Sequence, residues 1–110
     1  MATLHATFFT IGDAARAATG STMPVPHVGR ADEERLTDLT TSASSQVVQY
    51  ASADWTAPTD GFVAMVCDGA VNLAAGASPT ASATAGFYLP ASTWLVFAVG
   101  EGAKLAVIDA

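Results

Sequence analysis

The last fifty residues contain short apolar runs that carry hydrophobic side chains on both faces of a strand. Successive strand side chains point to opposite faces, so the run 62–67 sets Phe62, Ala64 and Val66 against Val63, Met65 and Cys67. The runs 94–99 and 105–108 repeat the pattern. A single antiparallel sheet buries one face, and the chain offers no long amphipathic helix to cover the other. The pattern therefore predicts either a second sheet or a neighbouring subunit over that face.

Length and charge limit what such a chain can bind. Its 110 residues are enough for one domain that buries roughly 65% of its unfolded surface. Only 13% of residues are charged, against about 25% in typical domains, so the surface must be rich in small, weakly polar residues. The net charge is −6, and the four cations do not cluster. Direct binding to a nucleic-acid backbone is therefore disfavoured.

We expect residues 1–45 to form a strand, an arm and a loop region. The run 3–11 alternates, with Leu4, Ala6 and Phe8 on one face, and is typical of a strand. The segment 12–29 is rich in Gly, Ala and Thr and ends in two closely spaced prolines, which predicts an extended arm or long loop. Acidic residues at 32–34 favour a short helix over 32–36.

Residues 46–110 are expected to form an antiparallel β domain. Strand-like runs occupy 46–50, 62–67, 70–73, 87–89, 94–99 and 104–108. The pair Asp68-Gly69 is a strong hairpin signal, and Gly100 to Gly102 indicates a second hairpin. Six or seven short strands with regular turns predict an all-β fold, a small antiparallel β-sandwich or β-barrel with an extended N-terminal arm.

The candidate catalytic groups are few. His5 and His27 are the only imidazoles, whereas the metal sites of β-barrel dioxygenases use two or three His with a carboxylate. No serine lies in a nucleophile elbow. An acid pair for glycoside hydrolysis is conceivable among the strand-end carboxylates, but turn formation explains Asp60, Asp68 and Glu101. We expect no enzymatic activity, no metal and no cofactor.

Cysteine content and targeting signals add two expectations. Cys67 is the only cysteine and lies in an apolar run without a neighbouring cation, which favours a small buried hydrophobe over a reactive thiol. The N-terminus lacks the features of a secretory signal, and no segment approaches the ~20 apolar residues of a membrane span. We therefore expect synthesis in the cytoplasm and no membrane partner.

Four aromatic residues could form a sugar-stacking platform. Trp94 begins an apolar strand and is expected in the core, whereas Trp55 precedes a turn beside Asp54 and is the better exposed candidate. Tyr50 and Tyr88 complete the set. A role for Trp55 at the edge of the core or in a subunit contact is the favoured alternative.

Three segments resemble small virion proteins of tailed bacteriophages. These are the loop Gly76–Ala81 (G-x-x-P-T-A), the segment Tyr88–Ala91 (Y-L-P-A) and the terminal strand Gly102–Ile108 (G-x-K-L-A-V-I). The resemblance covers about residues 60–110 and does not extend to 1–45, where no anchor motif is recognisable. It implies a head decoration, or cement, protein on the virion surface, made in the host cytoplasm and forming a homo-oligomer, most readily a trimer.

The expected partners are the major capsid protein and other copies of the chain. The N-terminal arm would dock through Phe8, Phe9 and Ile11, with Trp55 as a further contact. The competing hypotheses are a carbohydrate-binding β-sandwich of a phage tail or spike, using Trp55 and Tyr50, and a cupin-like enzyme, which would need more histidines than the chain has.

Overall fold

The computed structural model describes residues 2–13, 26–28 and 34–110, with side chains described for 2–10 and 34–110. This part of the chain is a small antiparallel β-sandwich without helices, which confirms the predicted fold class. Its strands are β1 (Thr3–Phe9), β2 (Ile11–Asp13), β3 (Pro26–Val28), β4 (Glu34–Arg35), β5 (Leu39–Thr40), β6 (Gln46–Val47), β7 (Gln49–Tyr50), β8 (Ala53–Asp54), β9 (Gly61–Cys67), β10 (Val71–Gly76), β11 (Phe87–Leu89), β12 (Leu95–Val99) and β13 (Lys104–Asp109).

Two sheets form the layers of the sandwich. Sheet 1 has the order β12-β9-β1, and the short strands β4 and β5 both pair with the remaining edge of β1. Sheet 2 has the order β11-β10-β13-β6. Two further pairs, β2 with β3 and β7 with β8, are two-stranded ribbons. All of these pairings are antiparallel.

Strand β1 is an interior strand of sheet 1. Its predicted alternation is confirmed, because Leu4, Ala6 and Phe8 are buried while His5 is exposed. It pairs with β9 from Leu4 opposite Cys67 to Phe9 opposite Phe62. Residues 3–9 therefore belong to the sandwich and not to a separable arm. Of the expected arm, 11–13 and 26–28 pair as the β2–β3 ribbon, and 14–25 lies outside the described residues.

The core lies between the two sheets and forms one cluster. Sheet 1 contributes Val63, Met65 and Cys67 from β9, all fully buried. Their shared burial agrees with the sequence pattern, which places the three side chains on one face of the strand. Inward side chains of sheet 2 complete the cluster: Val71, Leu73, Leu89, Leu105 and Val107. Trp55 closes one side, its ring tilted against that of Phe8 with centroids 5.5 Å apart.

The two predicted hairpins are wrong, because both turns carry the chain from one sheet to the other. Asp68-Gly69 connects β9 of sheet 1 to β10 of sheet 2, and the turn 100–103 connects β12 of sheet 1 to β13 of sheet 2. Such connections are β-arches, in which the flanking strands face each other through side chains instead of pairing through backbone hydrogen bonds. The strands on either side bury their side chains in the same core, which favours the arch over in-plane pairing.

Local contacts fix both arches. In the first, the backbone N–H of Thr3 donates to Asp68 Oδ1 (2.8 Å), and a Cβ at Gly69 would lie only 2.8 Å from that of Ala2. In the second, the N–H of Glu101 donates to Asp60 Oδ1 (2.8 Å), and Gly102 has φ +84°, which favours glycine. The aspartates thus have structural roles in the arches.

Two further expectations about local structure are corrected. The helix predicted over 32–36 is wrong in its described part, since Glu34–Arg35 pairs with β1 and the N–H of Leu36 donates to Ala6 O (3.0 Å); residues 29–33 lie outside the described residues. The strand predicted over 46–50 is split at Val48. Its N–H donates to Leu105 O, and its carbonyl accepts from the N–H of Trp55, both at 2.9 Å. Hydrogen bonds to distant parts of the chain therefore determine the conformation of both segments.

The adjacent residues Phe8 and Phe9 provide a matched test of β1. Phe8 is buried in the core and Phe9 lies on the opposite, partly exposed face. We expect Phe8→Ala to reduce the free energy of unfolding by about 3–5 kcal/mol through lost transfer energy and an internal cavity. Phe9→Ala should cost less than half of that. Urea denaturation of both variants measures the difference, and equal losses would contradict the placement of β1.

Candidate functional site

The side of sheet 1 that faces away from the core is apolar. Cross-strand neighbours there form rows, with Ala64 between Thr7 and Val96, and Phe62 between Phe9 and Ala98. Trp94 continues the outward side of β12 and lies beside Ala64 and Val66. We call this surface the outer face; its apolar members are Phe9, Phe62, Ala64, Val66, Trp94, Val96 and Ala98.

Much of the outer face is accessible to solvent. Trp94 is 67% exposed and Val96 is 54% exposed. Phe9 and Phe62 are partly buried, and their rings stack on each other with centroids 5.8 Å apart. The prediction that the apolar runs have two apolar faces is therefore confirmed, and the second sheet covers only one of them.

Apolar exposure continues around the edge of the sandwich. Strands β12 and β11 end their respective sheets and lie side by side, since the Phe97 and Phe87 rings stack with centroids 6.2 Å apart. Phe87 is 61% exposed. The outer face and this edge adjoin at β12 and are called here the apolar band, which comprises the outer face, Phe87 and Phe97. Tyr88 pairs with Asn72 and points to the outward side of sheet 2, so it is not part of the band.

Most of the corresponding outward side of sheet 2 is covered by the chain itself, whereas Tyr88 at its β11 edge is 59% exposed. The loop 77–86 crosses it, and Ala81 of this loop and Ala106 of β13 are both buried. Asn72 Nδ2 donates to Ala83 O (2.8 Å), and the N–H of Ala81 donates to Ser45 Oγ (2.9 Å). The two sheets thus differ, because a loop of small residues shields one outward side while Trp94 and Val96 of the other remain exposed.

Two shallow hollows mark the ends of the outer face. One, of about 390 Å³, is lined by His5, Ala6, Thr7, Arg35, Ala64, Val66 and Trp94. The other, of about 460 Å³, is lined by Thr10, Asp60, Gly61, Phe62, Ala98, Val99 and Gly100. Both are open depressions and not enclosed cavities, so they suit the side chains of another macromolecule or an extended ligand better than a small cofactor.

Among the described side chains, charge lies at the margins of the apolar band. No Asp, Glu, Lys, Arg or His occurs between Asp68 and Glu101, the stretch that supplies β10, β11 and β12. At the β1 border, His5 Nδ1 lies 2.9 Å from Asp38 Oδ1, and Arg35 lies 3.8 Å from the same oxygen. These side chains are largely solvent-exposed, so their pairing contributes little stability.

The structure corrects the relative exposure expected of the two tryptophans. Trp55, the better exposed candidate in the sequence and favoured for the edge of the core or a subunit contact, is 2% exposed, and its Nε1–H donates to Glu34 Oε1 (3.0 Å). Trp94, expected in the core, is the most exposed large hydrophobic residue of those described. Alternation could not reveal this, because Trp94–Val99 is apolar on both sides and gives no sign of which set faces inward.

The other predicted docking residues differ in their exposure to solvent. Phe8 is 1% exposed and, like Trp55, offers no contact surface in the folded chain. Phe9 lies on the outer face, and Ile11 is in β2, whose side chains are not described. Tyr50 is 37% exposed. Sequence reasoning did not single out Val96 and Phe87 as contact residues; the unbroken charge-free stretch 69–100 was the available signal.

No catalytic constellation is visible in the described part of the chain. Within residues 2–10 and 34–110, no three His, Cys, Asp or Glu side chains converge as a metal site would require. His5 pairs with Asp38, and the side chain of His27 lies outside the described residues. The described segments also contain no helix long and apolar enough to cross a bilayer. The expected lack of enzymatic activity, metal and cofactor stays a prediction.

Comparison of the chain with protein-family models, with curated proteins and with solved structures finds no match. The apolar band is therefore the candidate functional site on physical grounds alone. It is the described surface on which large apolar side chains concentrate, which is the usual mark of an interaction site.

Cys67 provides a test of the core beneath this surface. Burial raises the pKa of its thiol, and the nearby carboxylates of Asp68 and Asp109 act in the same direction. We expect an aromatic disulfide reagent at mildly alkaline pH to modify Cys67 only as fast as the protein opens, with one equivalent reacting at once in denaturant.

The same pKa shift determines the direction in which the stability of the fold changes with pH. The unfolded thiol ionises at a lower pH than the folded one, so this contribution to stability is complete below the unfolded pKa and is lost as the pH rises through the folded pKa. Replacing Cys67 with Ala should remove that alkaline component. Rapid modification of the native protein would contradict the buried position.

Proposed function

We propose that the chain is a non-enzymatic structural protein of a tailed-phage particle, a decoration or cement protein on the outside of the head. The observation that carries the proposal is the apolar band, a broad contact surface without charge on a rigid sandwich. Removing such a surface from water costs little polar desolvation, so it is suited to stable contact with another protein.

The segments that resemble phage virion proteins have identifiable structural roles. Gly76–Ala81 ends β10 and begins the loop that shields sheet 2, and Gly102–Ile108 contains the turn glycine and most of β13. Tyr88–Ala91 begins with an exposed tyrosine at the β11 edge, on the outward side of sheet 2. The resemblance thus involves the framework of sheet 2 and its β11 edge. The three motifs, which consist of common residue types, support the proposal.

The proposed partners are the major capsid protein and other copies of the chain, with a homotrimer as the assembly implied by the resemblance. The proposed location is the outer surface of the virion, reached after synthesis in the host cytoplasm. No metal, cofactor or direct contact with nucleic acid is part of the proposal. The net charge of −6 agrees with a protein that binds a protein shell and not the packaged DNA.

A second candidate function is carbohydrate binding by a phage tail or spike module. The version that used Trp55 fails, because this side chain is in the core. The hollow of about 390 Å³ provides another platform, in which Trp94 could stack on a sugar ring while Thr7 and Arg35 offer hydrogen-bonding groups. This hollow occupies only one end of the outer face, whereas particle binding accounts for the whole apolar band. Particle binding is therefore the preferred proposal.

The test is cosedimentation of the purified full-length chain with heads of the phage that encodes it, assembled without this gene product. We expect saturable binding at a fixed number of copies per head, and no binding to heads of an unrelated phage. Absence of binding to the cognate heads would contradict the proposal. A glycan array probed with the native chain and with Trp94→Ala tests the alternative, which predicts sugar binding that the substitution abolishes.

A further inference from the structure

We infer that the apolar band binds a second copy of this chain. The inference deepens the proposed function and rests on it for the biological role of the contact. The contact itself is a property of the free chain. It is argued from the uncovered outer face, the distribution of charge, the exposed area and the free strand edges.

The first argument is the difference between the two outward sides of the sandwich. The chain covers most of the outward side of sheet 2 with its own loop, and buries Ala81 and Ala106 in doing so. Over sheet 1, Trp94 and Val96 remain more than half exposed to solvent. An isolated exposed apolar residue needs no explanation, but a contiguous patch of this kind marks an interaction surface.

The second argument concerns charge, and it favours a second copy as the occupant. Each chain carries a net charge of −6, so two copies repel each other over the Debye length of about 8 Å at physiological salt. The stretch between Asp68 and Glu101, which supplies most of the band, has no ionisable acid or base. Contact through this surface therefore brings two acidic chains together without opposing carboxylates.

The third argument is area. Aromatic side chains present roughly 200 Å² each, so the exposed parts of Trp94 and Phe87 together supply roughly 260 Å². Val96 and the partly buried members of the outer face add to this. A standard stable interface buries ~800 Å² on each partner, so these side chains supply the apolar centre of such an interface and the surrounding polar surface of sheet 1 supplies the remainder.

The fourth argument is the free edge of β12. This strand pairs with β9 on one side and ends sheet 1 on the other, and β11 ends sheet 2 beside it. Exposed edges are normally protected by charged residues or proline. Strand β12, Leu95–Val99, contains neither. A second copy placed over the band would cover this edge and the stacked rings of Phe87 and Phe97 together.

The test is sedimentation equilibrium of the full-length chain over a concentration range from submicromolar to hundreds of micromolar. We expect reversible self-association that strengthens as salt is added, because salt screens the repulsion between acidic chains while leaving the apolar contact intact. Val96→Lys should weaken the association about a hundredfold or more, since it buries an unpaired charge in the contact.

A matched control distinguishes disruption of the contact from the effect of the added charge. Ala53→Lys adds the same charge at an exposed strand residue of β8. The β7–β8 ribbon adjoins the β4–β5 side of the sandwich through the Thr37 N–H bond to Gln49 O, far from β11 and β12. This variant should associate as the native chain does. Trp94→Ser is a second disruptive variant that leaves the strand intact, and circular dichroism confirms that each variant is folded.

Three outcomes would overturn the inference: a native chain that stays monomeric throughout, equal association of the Val96→Lys and Ala53→Lys variants, and hydrogen-exchange protection of 95–99 that does not change with concentration. The last would mean that another part of the same chain covers the band. Self-association without head binding would contradict the proposed function alone. Head binding by a strictly monomeric chain would contradict this inference alone.

Discussion

The packing of the inward side of β9 against sheet 2 is the interaction on which the rest of the structure depends. Val63, Met65 and Cys67 are fully buried, and β9 is the strand that joins β1 to β12 within sheet 1. Once these side chains face the core, the strict alternation of a strand sends Phe62, Ala64 and Val66 outward. The centre of the outer face is thus a direct consequence of how one apolar strand is oriented.

Alternation in the sequence was sufficient to predict the long strands and, for β1, the buried face. Polar His5 and Thr7 alternate with Leu4, Ala6 and Phe8, so the choice of inward side was determined. For Trp94–Val99 the sequence did not determine the inward side, because every residue is apolar and either alternate set of side chains could face the core. The position of Trp94 depended on the register of β12 with β9, which pairs Leu95 with Met65. That register is a tertiary property.

Turn chemistry predicted where the chain reverses but not in which direction. Asp68-Gly69 has the composition of a tight hairpin, yet the strands it connects belong to different sheets. The composition of a turn specifies local backbone geometry, whereas the choice between pairing in a sheet and crossing to another depends on which partners the strands find. Here β9 pairs with β1 and β12, while β10 pairs with β11 and β13. The candidate site followed from this topology, because the arches place β11 and β12 side by side.

The account's central claim is that the apolar band is open in the single chain and covered by another copy. Fluorescence of the Trp55→Phe variant reports it most directly, because Trp94 is then the sole tryptophan. Acrylamide should quench this fluorescence efficiently in dilute solution, and the quenching should fall as protein concentration rises through the association range. Fluorescence that is equally shielded at every concentration, or equally accessible at every concentration, would contradict the claim.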